Sequence, residues 1–193
     1  MRYMSKSGRI GSFFSSKQIF AMFVGTLLYA ALTTLFNVNQ VPASGGLIAF
    51  RPMVAIPMLF GIVFGPVAGF VSGLLGNALS DYASYGAFSW NWEIASGLLG
   101  AIPGIAYFVI SRTDWTKART FARIIVLVVV ASVVGTGFAA LADYIFHVGF
   151  GPIDTAFAEF TSAGLTDAIN GVIFTPILLY AYARAFGARP RKG

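Results

Sequence analysis

The sequence predicts an all-α integral membrane protein, a bundle of six transmembrane helices with both termini in the cytoplasm. Three observations lead there. Of 193 residues, 57% are hydrophobic and only 10% charged, against roughly 25% charged in an average soluble domain. Twelve of the thirteen Lys and Arg residues fall in three short blocks: Arg2, Lys6, Arg9 and Lys17; Arg112, Lys117, Arg119 and Arg123; Arg184, Arg189, Arg191 and Lys192. A chain threaded through a bilayer retains positive charge on its cytoplasmic side, so these blocks mark inside segments. The acids do the reverse. Only Asp114 shares a basic block, while Asp81, Glu93, Asp143, Asp154, Glu159 and Asp167 fall where the chain approaches the far side.

With about 20 residues needed per crossing, the apolar stretches place spans at about 19–36, 47–65, 67–84, 94–110, 122–144 and 164–183. These form one membrane domain with polar tails at 1–16 and 186–193. The first stretch follows a basic start, as a signal peptide does, but lacks a small-residue cleavage site and reads as a retained span. The connection from Asn37 to Gly46 is uncharged and holds Pro42, Ser44 and Gly45, the composition of an outside loop. Spans two and three meet at Gly65-Pro66, a tight inside turn. Pro52 and Pro57 interrupt helical hydrogen bonding in the second span, which predicts a short or bent helix there.

Small residues recur at helix-packing intervals: Ala21 and Gly25, Gly69 and Gly73, Gly100 and Gly104, then Ala131, Gly135 and Ala139. In lipid such spacing lets backbones approach closely and maximises van der Waals contact. Packing within a compact bundle is the first expectation for these seams. The one on the first span, near its inside end, is the best candidate for a partner.

Several function classes are excluded. The chain has no cysteine, so disulfides, thiolate metal sites and a catalytic thiol are absent. It has no G-x-x-x-x-G-K-[ST] run to cradle a nucleotide phosphate, no H-E-x-x-H and no G-x-S-x-G. Its single histidine, His147, reads as an interfacial side chain. No cofactor, metal or nucleic-acid partner is expected, because the alternation with apolar spans accounts for the basic residues.

The informative polar groups lie within spans or at their ends, where a charge is costly and usually marks a site. Asn77 and Asp81 are four apart and share a helical face. Glu93 opens the fourth span, where the helix dipole favours a carboxylate, so capping competes with ligand contact. Asp167 and Asn170, beside Thr166, project toward a common face, and Asp143 approaches the same level. Arg51, the one cation expected outside, pairs with one of these acids. Tyr85, Phe88, Trp90 and Trp92 serve either as an interfacial aromatic belt or as ring-facing walls. Acids, amides and aromatic faces at one depth are the make-up of a small-molecule pocket.

Across almost the whole chain, the order of segments resembles a substrate-binding S component of an energy-coupling factor (ECF) transporter. The resemblance rests on Phe50-Arg51-Pro52, on Phe64-Gly65-Pro66-Val67-Ala68-Gly69-Phe70, and on Gly76-Asn77-Ala78-Leu79-Ser80-Asp81. Trp90-Asn91-Trp92-Glu93 and the Gly97-Leu98-Leu99-Gly100 helix complete it. It implies a subunit of the prokaryotic plasma membrane, not an enzyme, that binds a vitamin from outside beneath the loop after the first helix. The ligand then passes through a separate membrane T component joined to two ATPases. It also implies substrate contacts at Asn77, Asp81, Glu93, Asp143, Asp167, Asn170, Trp90, Trp92, Tyr85 and Phe50, and docking of the T component at Ala21 and Gly25. Riboflavin, thiamine-like pyrimidines and cobalamin all remain open as substrates. A six-span scaffold without a ligand, and a membrane-embedded enzyme acting on lipid, are the competing readings.

Overall fold

The structure, a computed structural model, describes residues 15–36, 40–43, 46–49, 51–111, 115–146 and 153–186, with the backbone alone for 40–43, 46–49 and 153–156. Six helical runs are found among them. They are α1 (Ser16–Phe36), α2 (Pro52–Phe64), α3 (Pro66–Tyr85), α4 (Trp90–Val109), α5 (Ala118–Phe146) and α6 (Ile153–Phe186). α2 opens with a 3-10 turn over Pro52–Val54, and α4 contains another over Pro103–Ile105. The helices run past several of the expected apolar windows: α4 starts at Trp90, α5 at Ala118 and α6 at Ile153.

One element departs from the all-α expectation. Between α1 and α2, β1 (Gln40–Ala43) pairs antiparallel with β2 (Gly46–Ala49), Val41 opposite Ile48. The span expected to begin at 47 therefore starts as a strand, and its helix begins only at Pro52. β2 packs on α6.

Four helices are long and apolar enough to cross a membrane: Ser16–Phe36, Trp90–Val109, Ala118–Phe146 and Phe157–Phe186. α2 is apolar but short. α3 has the length, but Asn77, Ser80, Asp81 and its glycines dilute its hydropathy. Large apolar side chains such as Phe20, Phe23, Val126, Val133 and Ile173 face outward. Ser72, Asn91, Ser132 and Asp167 are buried, the distribution expected when lipid is the solvent.

α2 is apolar on nearly every face and sits at the centre, against α1, α3, α4 and α6. Around it the order is α1, α3, α4, α5, α6. Its Met58, Ile62 and Val63 join Leu99, Ile124, Val128 and Leu179 in the core.

Glycines set the spacing of α2, α3 and α4. A Cβ at Gly69 would overlap the Gly100 carbonyl, one at Gly100 the Gly69 carbonyl, and one at Gly73 the Ser96 carbonyl. These contacts are between backbones, which cannot swing aside. The expected small-residue seams at Gly69/Gly73 and Gly100/Gly104 thus hold α3 on α4. Gly65 (φ 107°) makes the sharp α2–α3 turn, and Gly86 (φ 72°) closes α3 in the left-handed conformation.

Candidate functional site

The bundle has two unlike ends. At one end lie Lys17, Lys117, Arg119, Arg123 and Arg184. At the other, beside the hairpin, the helix ends line an open polar cavity of about 140 Å³.

Each wall is traceable to a sequence feature. α3 contributes Asn77, Asp81 and Tyr85, one face at four-residue spacing. Asn77 Nδ2 donates to Asp81 Oδ2 at 3.1 Å, which fixes both groups and leaves the second Asp81 oxygen available. α4 contributes Trp92, Ala95, Ser96 and Leu99, α1 contributes Thr33 and α5 contributes Thr136. From the far side come Arg51, just before α2, and Asp167 of α6.

Arg51 and Asp167 form a long ion pair, Nη1 to Oδ1 at 3.8 Å. Asp167 is 3% exposed, and its Oδ1 receives no hydrogen bond among the described residues. Asn170 holds the backbone of the pair: its Oδ1 accepts from the Arg51 N–H at 3.2 Å, and its Nδ2 donates to the Thr166 carbonyl at 2.8 Å. It positions Arg51 and does not line the cavity.

Glu93 is 4% exposed, and neither carboxylate oxygen has a hydrogen-bond partner among the described residues. Asn77, Asp81 and the Ser89 backbone are its polar neighbours. It lies in the first turn of α4, where the helix dipole favours a carboxylate.

Asp143 is drawn away from the cavity. Asn91 Nδ2 donates to its Oδ1 at 2.8 Å and Trp92 Nε1 to its Oδ2 at 3.0 Å, so it clamps α5 to α4 and fixes an indole that lines the cavity. Asp143→Ala leaves those two donors without their acceptor and is expected to cost about 2 kcal/mol of stability, measurable by thermal unfolding in detergent.

Trp90, two residues from Trp92, falls on the opposite side of the helix. It is 41% exposed and packs edge-on against Phe138 and Phe146, outside the cavity and in the manner of an aromatic belt. Phe50 and His147 lie outside the described residues.

The pair expected to dock a partner faces inward. Ala21 and Gly25 are buried, and a Cβ on Gly25 would overlap Ser72 Oγ and press on the Phe60 ring. Sequence spacing reveals a close-packing face but not what it packs on, and here that is α2 and α3. Gly25→Leu is therefore expected to lower the unfolding temperature of the isolated protein, and ligand binding with it. A docking role alone would leave both unchanged.

Ser96, Thr33 and Thr136 were not anticipated, since single hydroxyls in apolar helices carry little signal. Ser96 had one: it is three residues beyond Glu93 and four beyond Trp92, on the same face. Asn91, fully buried and bonded to Asp143 and to the Ala139 carbonyl, was also missed.

A family model described as "ECF-type riboflavin transporter, S component" matches residues 13–184. A "UPF0397 protein" of Lactobacillus helveticus is 30% identical over 190 residues, covering 93% of this chain and 94% of the relative. One of Streptococcus pneumoniae is 31% identical over 185 residues, covering 93% and 95%. One of Streptococcus gordonii is 28% identical over 173 residues, covering 89% and 90%. No solved structure matches.

Proposed function

Because the chain belongs to the family of ECF-type riboflavin transporter S components, we propose that it captures a vitamin-like micronutrient in the polar cavity and hands it to a T component powered by two ATPases. Its family is one of transport subunits, not enzymes, and the protein is a multi-pass membrane protein. In our reading the six helical runs are six crossings of one membrane domain, 1–193, with both termini cytoplasmic. The basic end of the bundle then faces the cytoplasm and the cavity opens outside.

The observation that carries this reading is the cavity itself, with ionic and amide groups from α3, from α6 and from Arg51 before α2 converging on one space. In lipid, groups of that kind are costly unless they serve a pathway or a ligand. Asn77, Asp81, Tyr85, Trp92 and Asp167 are proposed as ligand contacts together with Arg51, and Glu93 stands behind Asn77 and Asp81. Asn170 and Asp143 position these groups. The missing phosphate-binding loop fits a subunit whose energy comes from partners.

The test is thermal unfolding of the purified protein across flavin, pyrimidine and corrin compounds. A ligand that binds only the folded state at a hundred times its Kd stabilises by about 2.7 kcal/mol, a clear rise in the unfolding temperature. No rise with any of them would defeat the reading.

A further inference from the structure

The volume and charge of the cavity narrow the ligand, on the premise that the cavity is the binding site. A cavity of about 150 Å³ holds one benzene-sized ring, and this one measures about 140 Å³. The cavity is open at the end of the bundle, and a single six-membered ring fills its walled part.

The polar inventory is lopsided. Asp81, Asp167 and the adjacent Glu93 bring three carboxylates, and Arg51 is the only cation among the described residues around them. Glu93 has both oxygens unpartnered, and Asp167 Oδ1 faces its cation only at 3.8 Å. Carboxylate oxygens accept hydrogen bonds, so N–H groups of a ligand find acceptors here. A buried carboxylate is stabilised by a charge-assisted N–H donor. The Trp92 indole, held by Asp143, supplies a flat wall against which a planar cation can lie.

We propose that the cavity binds a compact basic heterocycle, a single planar ring bearing an amine or amidine, whose N–H groups are received by Asp81 with Glu93 behind it. A flavin, which is neutral, and an anionic ring both lack the cation that the carboxylates favour.

The experiment uses the full chain in lipid nanodiscs, with binding read by calorimetry and thermal shift. The probes are 4-aminopyrimidine, benzamidine, benzoate and riboflavin. The two amines should bind and raise the unfolding temperature, while benzoate and riboflavin should not. Asp81→Asn and Glu93→Gln should each weaken amine binding tenfold or more. Glu93→Gln should leave the unliganded unfolding temperature unchanged or higher, because no hydrogen bond of the folded protein rests on its carboxyl oxygens, whereas a purely structural carboxylate would lower it. Riboflavin or benzoate binding as well as the amines would overturn the assignment of ligand class and leave the binding-subunit reading standing. Failure of both amines would overturn it too. Failure of the amines together with every vitamin tested above would overturn both.

Discussion

Gly100→Val is expected to prevent the bundle from closing, with an unfolding temperature far below that of the parent or no folded protein recovered at all. A Cβ at this position would overlap the Gly69 carbonyl and approach its Cα. Gly61 meets the same turn of α4 from α2, where a Cβ would overlap the Gly100 carbonyl. Overpacking a core usually costs about 1–3 kcal/mol because side chains rotate away. Here the obstacle is main chain on both sides, so relief requires α3 and α4 to separate, and the loss should be about 3 kcal/mol or more. Gly137→Ala is the control. Its added methyl would meet only the edge of the Phe160 ring at 3.5 Å, an ordinary contact, and the variant should unfold like the parent. Equal behaviour of the two variants would mean that α3 and α4 are not held by backbone contact.

The second large effect concerns ligand affinity. Asp167→Ala removes the ion-pair partner of Arg51 and one of the cavity's acceptors together, and affinity is expected to fall about a hundredfold. Breaking a buried pair from one side costs about 3–5 kcal/mol. The long Arg51–Asp167 separation, and an Arg51 side chain still 24% exposed, place this pair at the lower end of that range. The double variant Arg51→Ala/Asp167→Ala should therefore be more stable than the sum of the single losses, since no uncompensated charge remains. Additive losses would show that the two residues act separately. Binding by calorimetry and thermal unfolding of all three variants supply the comparison.

Much of this arrangement could be read from residue order alone. Apolar runs and clustered basic residues mark the helices, because bilayer thickness and the retention of positive charge act on segments as wholes. Asn77 and Asp81 were found together because a four-residue interval fixes a shared face whatever surrounds the helix. What sequence does not carry is the direction a face takes. Ala21 and Gly25 announce close packing, yet only the fold shows Ser72 and Phe60 opposite Gly25. Asp143 looked equivalent to Asp81 by depth, but Asn91 and Trp92 use up its oxygens. Trp90 and Trp92 were grouped by composition although an interval of two places them on opposite sides. The hairpin was missed because Pro42 argues against a strand and the segment is short.

Arg51 follows the hairpin yet meets Asp167 and Asn170 near the other end of the chain, and the second strand rests on the last helix. Closure of the cavity therefore comes late as the chain is made. A nascent polypeptide halted after its fifth helix has the glycine-packed centre but an incomplete chamber. The wall that Asp167 supplies is present only once the last helix has been made.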